Sequence, residues 1–224
     1  MSKKIDKDKT INLILRILLL CAGVFIMAVG IAFSIKAGLG TSPISSLPYV
    51  TGEISGLTVG TTTIIVNVIF VLIQVAVLRK NFKPFQLVQI PVAVVFGLTI
   101  DLAELIIEPL EAPNYFVQWV FCALGIVLLA FGISLEIKAN ITTTAGEGVC
   151  LAVCQVTKLK FGNMKVIFDV SLVVLSCVFS LIFLHTVVGV REGTLAAALL
   201  VGQVTKLFNL LVNRKKQKTA TANS

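Results

Sequence analysis

The stretch Ala28-Val-Gly-Ile-Ala-Phe-Ser-Ile-Lys-Ala37 returns 102 residues later as Ala130-Phe-Gly-Ile-Ser-Leu-Glu-Ile-Lys-Ala139. The register continues without a gap: Thr41 falls on Thr143, Ser42 on Thr144, Gly60 on Gly162 and Asn67 on Asp169. A three-residue slip later brings Gly97 onto Gly202. Both copies of the ten-residue stretch end long apolar runs and both lead into polar, turn-prone segments. The pattern reads as a duplicated unit, with residues 11–109 as the first membrane repeat and 114–212 as the second. A tail precedes them (1–10) and a basic tail follows (213–224).

Composition says what solvent these repeats meet. Of 224 residues, 57% are hydrophobic and 13% charged, about half the charged share of an ordinary soluble domain. Mean hydropathy is +0.99. A soluble chain of this length cannot hide so much apolar surface, so lipid must cover much of it. Six runs have the ~20 residues that a helix needs to span a bilayer: Ile11–Ile35, Thr61–Leu78, Phe85–Ile107, Tyr115–Ile137, Met164–Leu184 and Thr194–Val212. Strand-like alternation is absent, which excludes a barrel. The expected fold is an all-α membrane protein with six transmembrane helices. Three spans per half make the halves inverted repeats, since an odd number of crossings turns the second copy over.

Charge sets the orientation. With the N-terminus inside, seventeen lysines and arginines fall on the cytoplasmic side, and only Lys36 and Arg191 fall outside. If Pro43–Ser55 and Ala145–Thr157 also crossed fully, eight spans would result and the division would worsen to thirteen against six. Both termini are therefore expected in the cytoplasm. The net charge of +8 serves topology, and no nucleic-acid partner is expected. Lys3 to Lys9 followed by an apolar run imitate a signal peptide. The run continues to Ile35, so it reads as an uncleaved first span.

The segments left over are the informative ones. Gly38-Leu-Gly-Thr-Ser-Pro43 and Asn140-Ile-Thr-Thr-Thr144 are turn-prone. Ser42 before Pro43 is a helix-start signal, and Thr143 or Thr144 can cap the second helix, with Glu147 near its positive end. The dozen residues after each turn span roughly 18 Å as helix, half a membrane. Two placements fit: amphipathic helices at the interface, or re-entrant half-helices whose starts are buried in the protein. On the second placement Thr41, Ser42 and Pro43 meet Thr142, Thr143 and Thr144 near the midplane, with Asn67, Glu147 and Asp169 alongside. Backbone N–H groups and hydroxyls would converge there on a polar or anionic ligand.

Among ionisable residues within spans, Asp169 has a polar repeat mate in Asn67 and is a candidate cation, proton or substrate contact. Lys36 and Lys138 can snorkel to the interfaces, Asp101 and Glu104 can be wet, and Glu136 lies near the cytoplasmic end of span four. The five cysteines all lie in apolar segments and read as small core residues. No metal or cofactor is expected. No Gly-x-Ser-x-Gly elbow, His-x-x-x-His pair or phosphate loop occurs, so the chain does not read as an enzyme.

Gly38-Leu-Gly-Thr-Ser-Pro43 after the first span, Gly60 opening the next and Gly97-Leu-Thr-Ile-Asp101 in the third resemble the bacterial YczE/YyaS/YitT group of membrane proteins. The positions that carry the resemblance are Gly38, Gly40, Ser42, Pro43, Gly60, Gly97 and Asp101. The second half departs from the pattern, with Asn140-Ile-Thr-Thr-Thr in place of Gly-Leu-Gly-Thr-Ser and no proline after it. The group is described as transport proteins, so the resemblance implies the bacterial cytoplasmic (inner) membrane and a substrate not yet assigned. The sequence reading is thus a small secondary transporter or channel for a polar or anionic small molecule, acting alone or as a homo-oligomer in the lipid bilayer. The competing reading is a non-transporting membrane scaffold or sensor accessory.

Overall fold

The computed structural model describes the backbone of residues 2–222 and the side chains of residues 11–210. The two expected tails and Val212, the expected end of the sixth span, therefore lie outside the described side chains. Eight α-helices follow one another: α1 (Ser2–Ala37), α2 (Pro43–Ser55), α3 (Val59–Leu78), α4 (Gln89–Ile107), α5 (Tyr115–Ala139), α6 (Ala145–Thr157), α7 (Phe161–Phe179) and α8 (Glu192–Ala222). Among the described residues there is no strand. Two 3-10 turns, Arg79–Asn81 and Pro84–Val88, join α3 to α4, and a π-helical turn, Ser180–Leu184, ends α7.

Six helical segments are long and apolar enough to cross a bilayer: Ile11–Ala37, Val59–Asn81, Pro84–Ile107, Tyr115–Ala139, Phe161–Leu184 and Glu192–Leu210. Large apolar side chains stay outward on them, Leu105 at 67%, Phe116 at 77% and Leu199 at 69% exposure. Only lipid makes that arrangement stable in a chain of this composition. This is the multi-pass helical membrane protein that composition predicts. The two leftover segments are helices too, at the bounds expected for them.

Close glycine contacts build the centre. Helix α1 packs on α5, with Gly23 against Gly132 and Gly30 against Gly125. A Cβ on Gly23 would lie 2.9 Å from the Gly132 carbonyl oxygen, and one on Gly30 would lie 2.9 Å from that of Gly125. Lipid supplies no hydrophobic drive between helices, so backbones that can approach this closely hold the pair by packing. The crossed order of the contacts makes α1 and α5 antiparallel. Each glycine also meets the one that the 102-residue shift assigns to the other member of its own helix.

The remaining helices pack around this pair. Helix α4 lies along α1 and α8 along α5, each parallel to its neighbour; α2 packs on α7, and α6 on α3. The spans alternate in direction, so the ends of α3 and α5 and the starts of α4 and α7 share one face. That face carries Lys80, Lys83, Lys158 and Lys160 and is called the basic face below. The opposite face carries Glu108, Glu111 and Arg191. There the Lys36 ammonium reaches up from the end of α1 to donate to the Glu108 carbonyl at 2.8 Å, the snorkelling expected for it.

Candidate functional site

The short helices α2 and α6 begin side by side inside the bundle. Ile44, one residue into α2, occupies the space beside Gly146, one residue into α6; a Cβ there would lie 2.6 Å from Ile44 Cδ1. Both helices bury their starts and expose their ends: Ser45, Ser46 and Leu47 are buried and Ser55 exposed, Ala145 and Gly148 buried and Thr157 exposed. Next to this meeting point lies a cavity of about 400 Å³, walled by α1, α2, α3, α5, α6, α7 and α8 and touched by Phe96 of α4.

Six of the nine site residues expected from the sequence line that one cavity: Ser42, Pro43, Asn67, Thr144, Glu147 and Asp169. Thr41, Thr142 and Thr143 do not line it. Thr41 is buried in the turn before α2 and its N–H donates to the Gly189 carbonyl at 3.0 Å. Thr142 spends its hydroxyl on the neighbouring Thr143 carbonyl at 3.3 Å. The expected capping is also corrected. Ser42 and Thr144 hold the N-cap positions, but neither side chain caps its helix. The Ser42 hydroxyl instead pairs with that of Ser45 at 2.9 Å, while the Ser45 N–H donates to the Ser42 carbonyl at 3.0 Å.

Asp169 is not a lone charge. Lys165, one turn earlier on α7, donates to its Oδ1 at 2.7 Å, and both line the cavity. Lysine at i and aspartate at i+4 share a helix face, so the pair was legible although Lys165 reads first as a topology charge. Asn67, which lines the cavity, donates to the Thr63 carbonyl of its own helix at 2.8 Å. Hydroxyls of Thr63 and Thr205 complete a polar stripe in an otherwise apolar wall.

Three further polar residues escape a reading by spacing. Asp101 is not simply wet: its Oδ1 accepts the Gly60 N–H at 2.7 Å and its Oδ2 the Thr58 hydroxyl at 2.8 Å. It thereby holds the start of α3, from 41 residues away in sequence. Gln74, wholly buried in α3, donates to Gln89 Oε1 at 2.8 Å and to the Ala145 carbonyl at 3.0 Å. Its amide fills the space where a side chain on Gly148 would go. Glu136 is 2% exposed, and neither of its carboxylate oxygens has a hydrogen-bond partner.

The two sides of the cavity differ in their contacts. Toward the opposite face, the turn before α2 is tied to the α7–α8 loop and the start of α8: Gly193 N–H donates to the Leu39 carbonyl at 2.8 Å, and the Arg191 guanidinium to the Gly38 carbonyl at 2.9 Å. Gly40, at φ +92°, meets Arg191 and Thr194 too closely for any side chain. On the same side α3 and α4 press Gly60 against Gly97. Toward the basic face, a side chain on Gly162 or Gly202 would meet nothing, and the lining reaches Ile137 near the end of α5, Phe161 at the start of α7 and Thr205 of α8.

Residues 14–210 match the family of unknown function DUF6198. The chain belongs to that family. It is also similar to the uncharacterized protein YyaS of Bacillus subtilis (strain 168), 28% identical over 194 residues that cover 86% of this chain and 91% of that one. The resemblance read from the glycine motifs thus extends over nearly the whole membrane region. No solved structure matches.

Proposed function

We propose that this DUF6198 protein is a small secondary transporter for a polar or anionic small molecule in the bacterial cytoplasmic membrane, built of two inverted halves with re-entrant helices α2 and α6. The observation that carries the reading is the cavity where the two helix starts meet, bonded over toward one face by the turn before α2 and without such contacts at Gly162 and Gly202 toward the other. A site reached from one side at a time is what alternating access requires. Supporting it, α1–α5, α2–α7 with α6–α3, and α1–α4 with α5–α8 are the pairings that two halves related by a two-fold axis in the membrane plane would make.

The chemistry of the lining argues for a polar cargo. Helix starts carry partial positive charge and unpaired N–H groups that receive anionic or carbonyl oxygens. Lys165 adds a full cation beside them, and Asp169 keeps it compensated while the cavity is empty. The positive-inside bias makes the basic face cytoplasmic, and on this reading the cavity is reached from the cytoplasm.

Purified protein in liposomes, loaded with a proton or sodium gradient, tests this by uptake of radiolabelled amino acids, carboxylates, sugars and amines. Uptake of one class, abolished by Lys165→Ala, is the expected outcome. Failure with every class, by protein that elutes as a single folded species, would instead favour a scaffold or accessory role.

A further inference from the structure

A carboxylate inside a bilayer protein needs a cation or hydrogen-bond donors, and Glu136 has no bonded partner. It lies near the end of α5, buried to 2% exposure, with both oxygens unbonded. From α6 it is faced by Glu147 and by the backbone at Thr144, the N-cap of that helix. Helix α1 presents Gly23 at this level, and the neighbouring contact on α8 is Thr205 with Ser134; none of these is ionisable. Glu147 lines the cavity, within electrostatic reach of Glu136 on one side and of Lys165 and Asp169 of α7 on the other. Glu136 is therefore a dead-end carboxylate whose charged neighbour is another carboxylate, and that neighbour touches the transport cavity.

We propose that Glu136 and Glu147 form the coupling-cation site of the protein, taking up one monovalent cation, a proton or sodium, from the cavity. The coupling role rests on the transport reading above; the cation site itself does not. Two carboxylates in a low-dielectric setting cannot both remain charged unless something positive is shared between them. A proton satisfies this by converting Glu136 from carboxylate to acid, with Glu147 relaying it from the cavity water. Sodium satisfies it by sitting between the two groups. Release of the cation leaves two like charges behind the start of α6, which pushes this helix away from α5. That couples occupancy to the position of one of the two helix starts at the cargo site.

Infrared difference spectroscopy on the full chain in detergent reads this without any substrate. The wild type is expected to show a protonated carboxylic-acid carbonyl band near neutral pH that Glu136→Gln removes and Glu136→Asp retains at a shifted frequency. Glu147→Gln is expected to keep the band but move its titration midpoint. Loss of the band on adding sodium chloride, but not choline chloride, assigns sodium as a competing occupant; insensitivity to both assigns the proton alone. Either supports the site. A Glu136→Gln spectrum identical to wild type, or a Glu147→Gln midpoint that does not move, overturns it. Glutamine is isosteric and neutral, and elution as a single wild-type species checks that the variant folds. A band that behaves as stated in protein with no uptake activity would remove the coupling role and leave the site standing.

Discussion

The two halves carry the same glycines and use them differently. In the first, Gly60 at the start of α3 touches Gly97 of α4, and Asp101, one turn beyond Gly97, accepts the Gly60 N–H. In the second, Gly162 and Gly202 meet nothing, and the residue four positions beyond Gly202 is Lys206, which is exposed. A lysine cannot accept the N–H groups at the start of α7 as Asp101 does at α3. The turns before the short helices differ in the same sense. Gly38–Thr41 is bonded to the α7–α8 loop by three hydrogen bonds from or to Leu39, Thr41 and Gly38, whereas Thr142 bonds only within its own turn. The difference teaches that shared spacing sets where helices go, while a few polar contacts decide which seam is closed.

The largest effect expected from this contrast is on the closed seam. Gly60→Leu or Gly97→Leu forces a side chain into the facing backbone, and overpacking of this kind costs roughly 1–3 kcal/mol or more. Both variants should lose tens of per cent of folded protein in a thermal melt in detergent. Gly162→Leu and Gly202→Leu should melt within a degree or two of wild type, since helix propensity favours leucine over glycine by somewhat under ~1 kcal/mol. Equal losses in both pairs would mean that Gly162 and Gly202 are packed as tightly as Gly60 and Gly97.

Asp101→Ala comes next. It leaves the Gly60 N–H and the Thr58 hydroxyl without their acceptor, a loss of about 1–3 kcal/mol. Asp101→Asn should recover most of it, because an amide oxygen can still accept from Gly60. The smallest effect is expected at the exposed latch. Arg191→Ala removes one hydrogen bond to the Gly38 carbonyl and should cost less than about 1 kcal/mol in stability. Its expected signature is a few-fold faster entry of a thiol reagent into the cavity from the opposite face.

Much of the fold was legible because it depends on local, periodic or bulk properties. Apolar length marked the six spans, and Pro43 after a polar turn marked α2 to the residue. Ala28–Ala37 and its copy foretold the pairing of α1 with α5, whose glycines sit within or beside the repeated stretch. The cavity was legible in six residues because Ser42 and Thr144 stand at two helix starts that the 102-residue shift in the sequence relates. Thr41, Thr142 and Thr143 were misread because adjacent residues in a turn point in different directions, and spacing does not say which one faces inward. The partners of Asp101 and Gln74 lie tens of residues away, so no local pattern reveals them. Glu136 stands out in sequence only as an ionisable residue within a span, and its burial without a side-chain partner cannot be read from spacing. The open space beside Gly162 and Gly202 was invisible, since they read in sequence like the pair that is in contact.

The most direct test of the account is the side from which the cavity can be reached. Asn67→Cys, in a chain whose five native cysteines are replaced by alanine, places one thiol on the cavity wall. Impermeant maleimide is then applied to right-side-out and inside-out vesicles, with Lys160→Cys and Arg191→Cys marking the two faces. The account predicts that Asn67→Cys labels from the side of Lys160→Cys and not, in the resting protein, from the side of Arg191→Cys. Labelling from the side of Arg191→Cys alone, or equally from both, would contradict it.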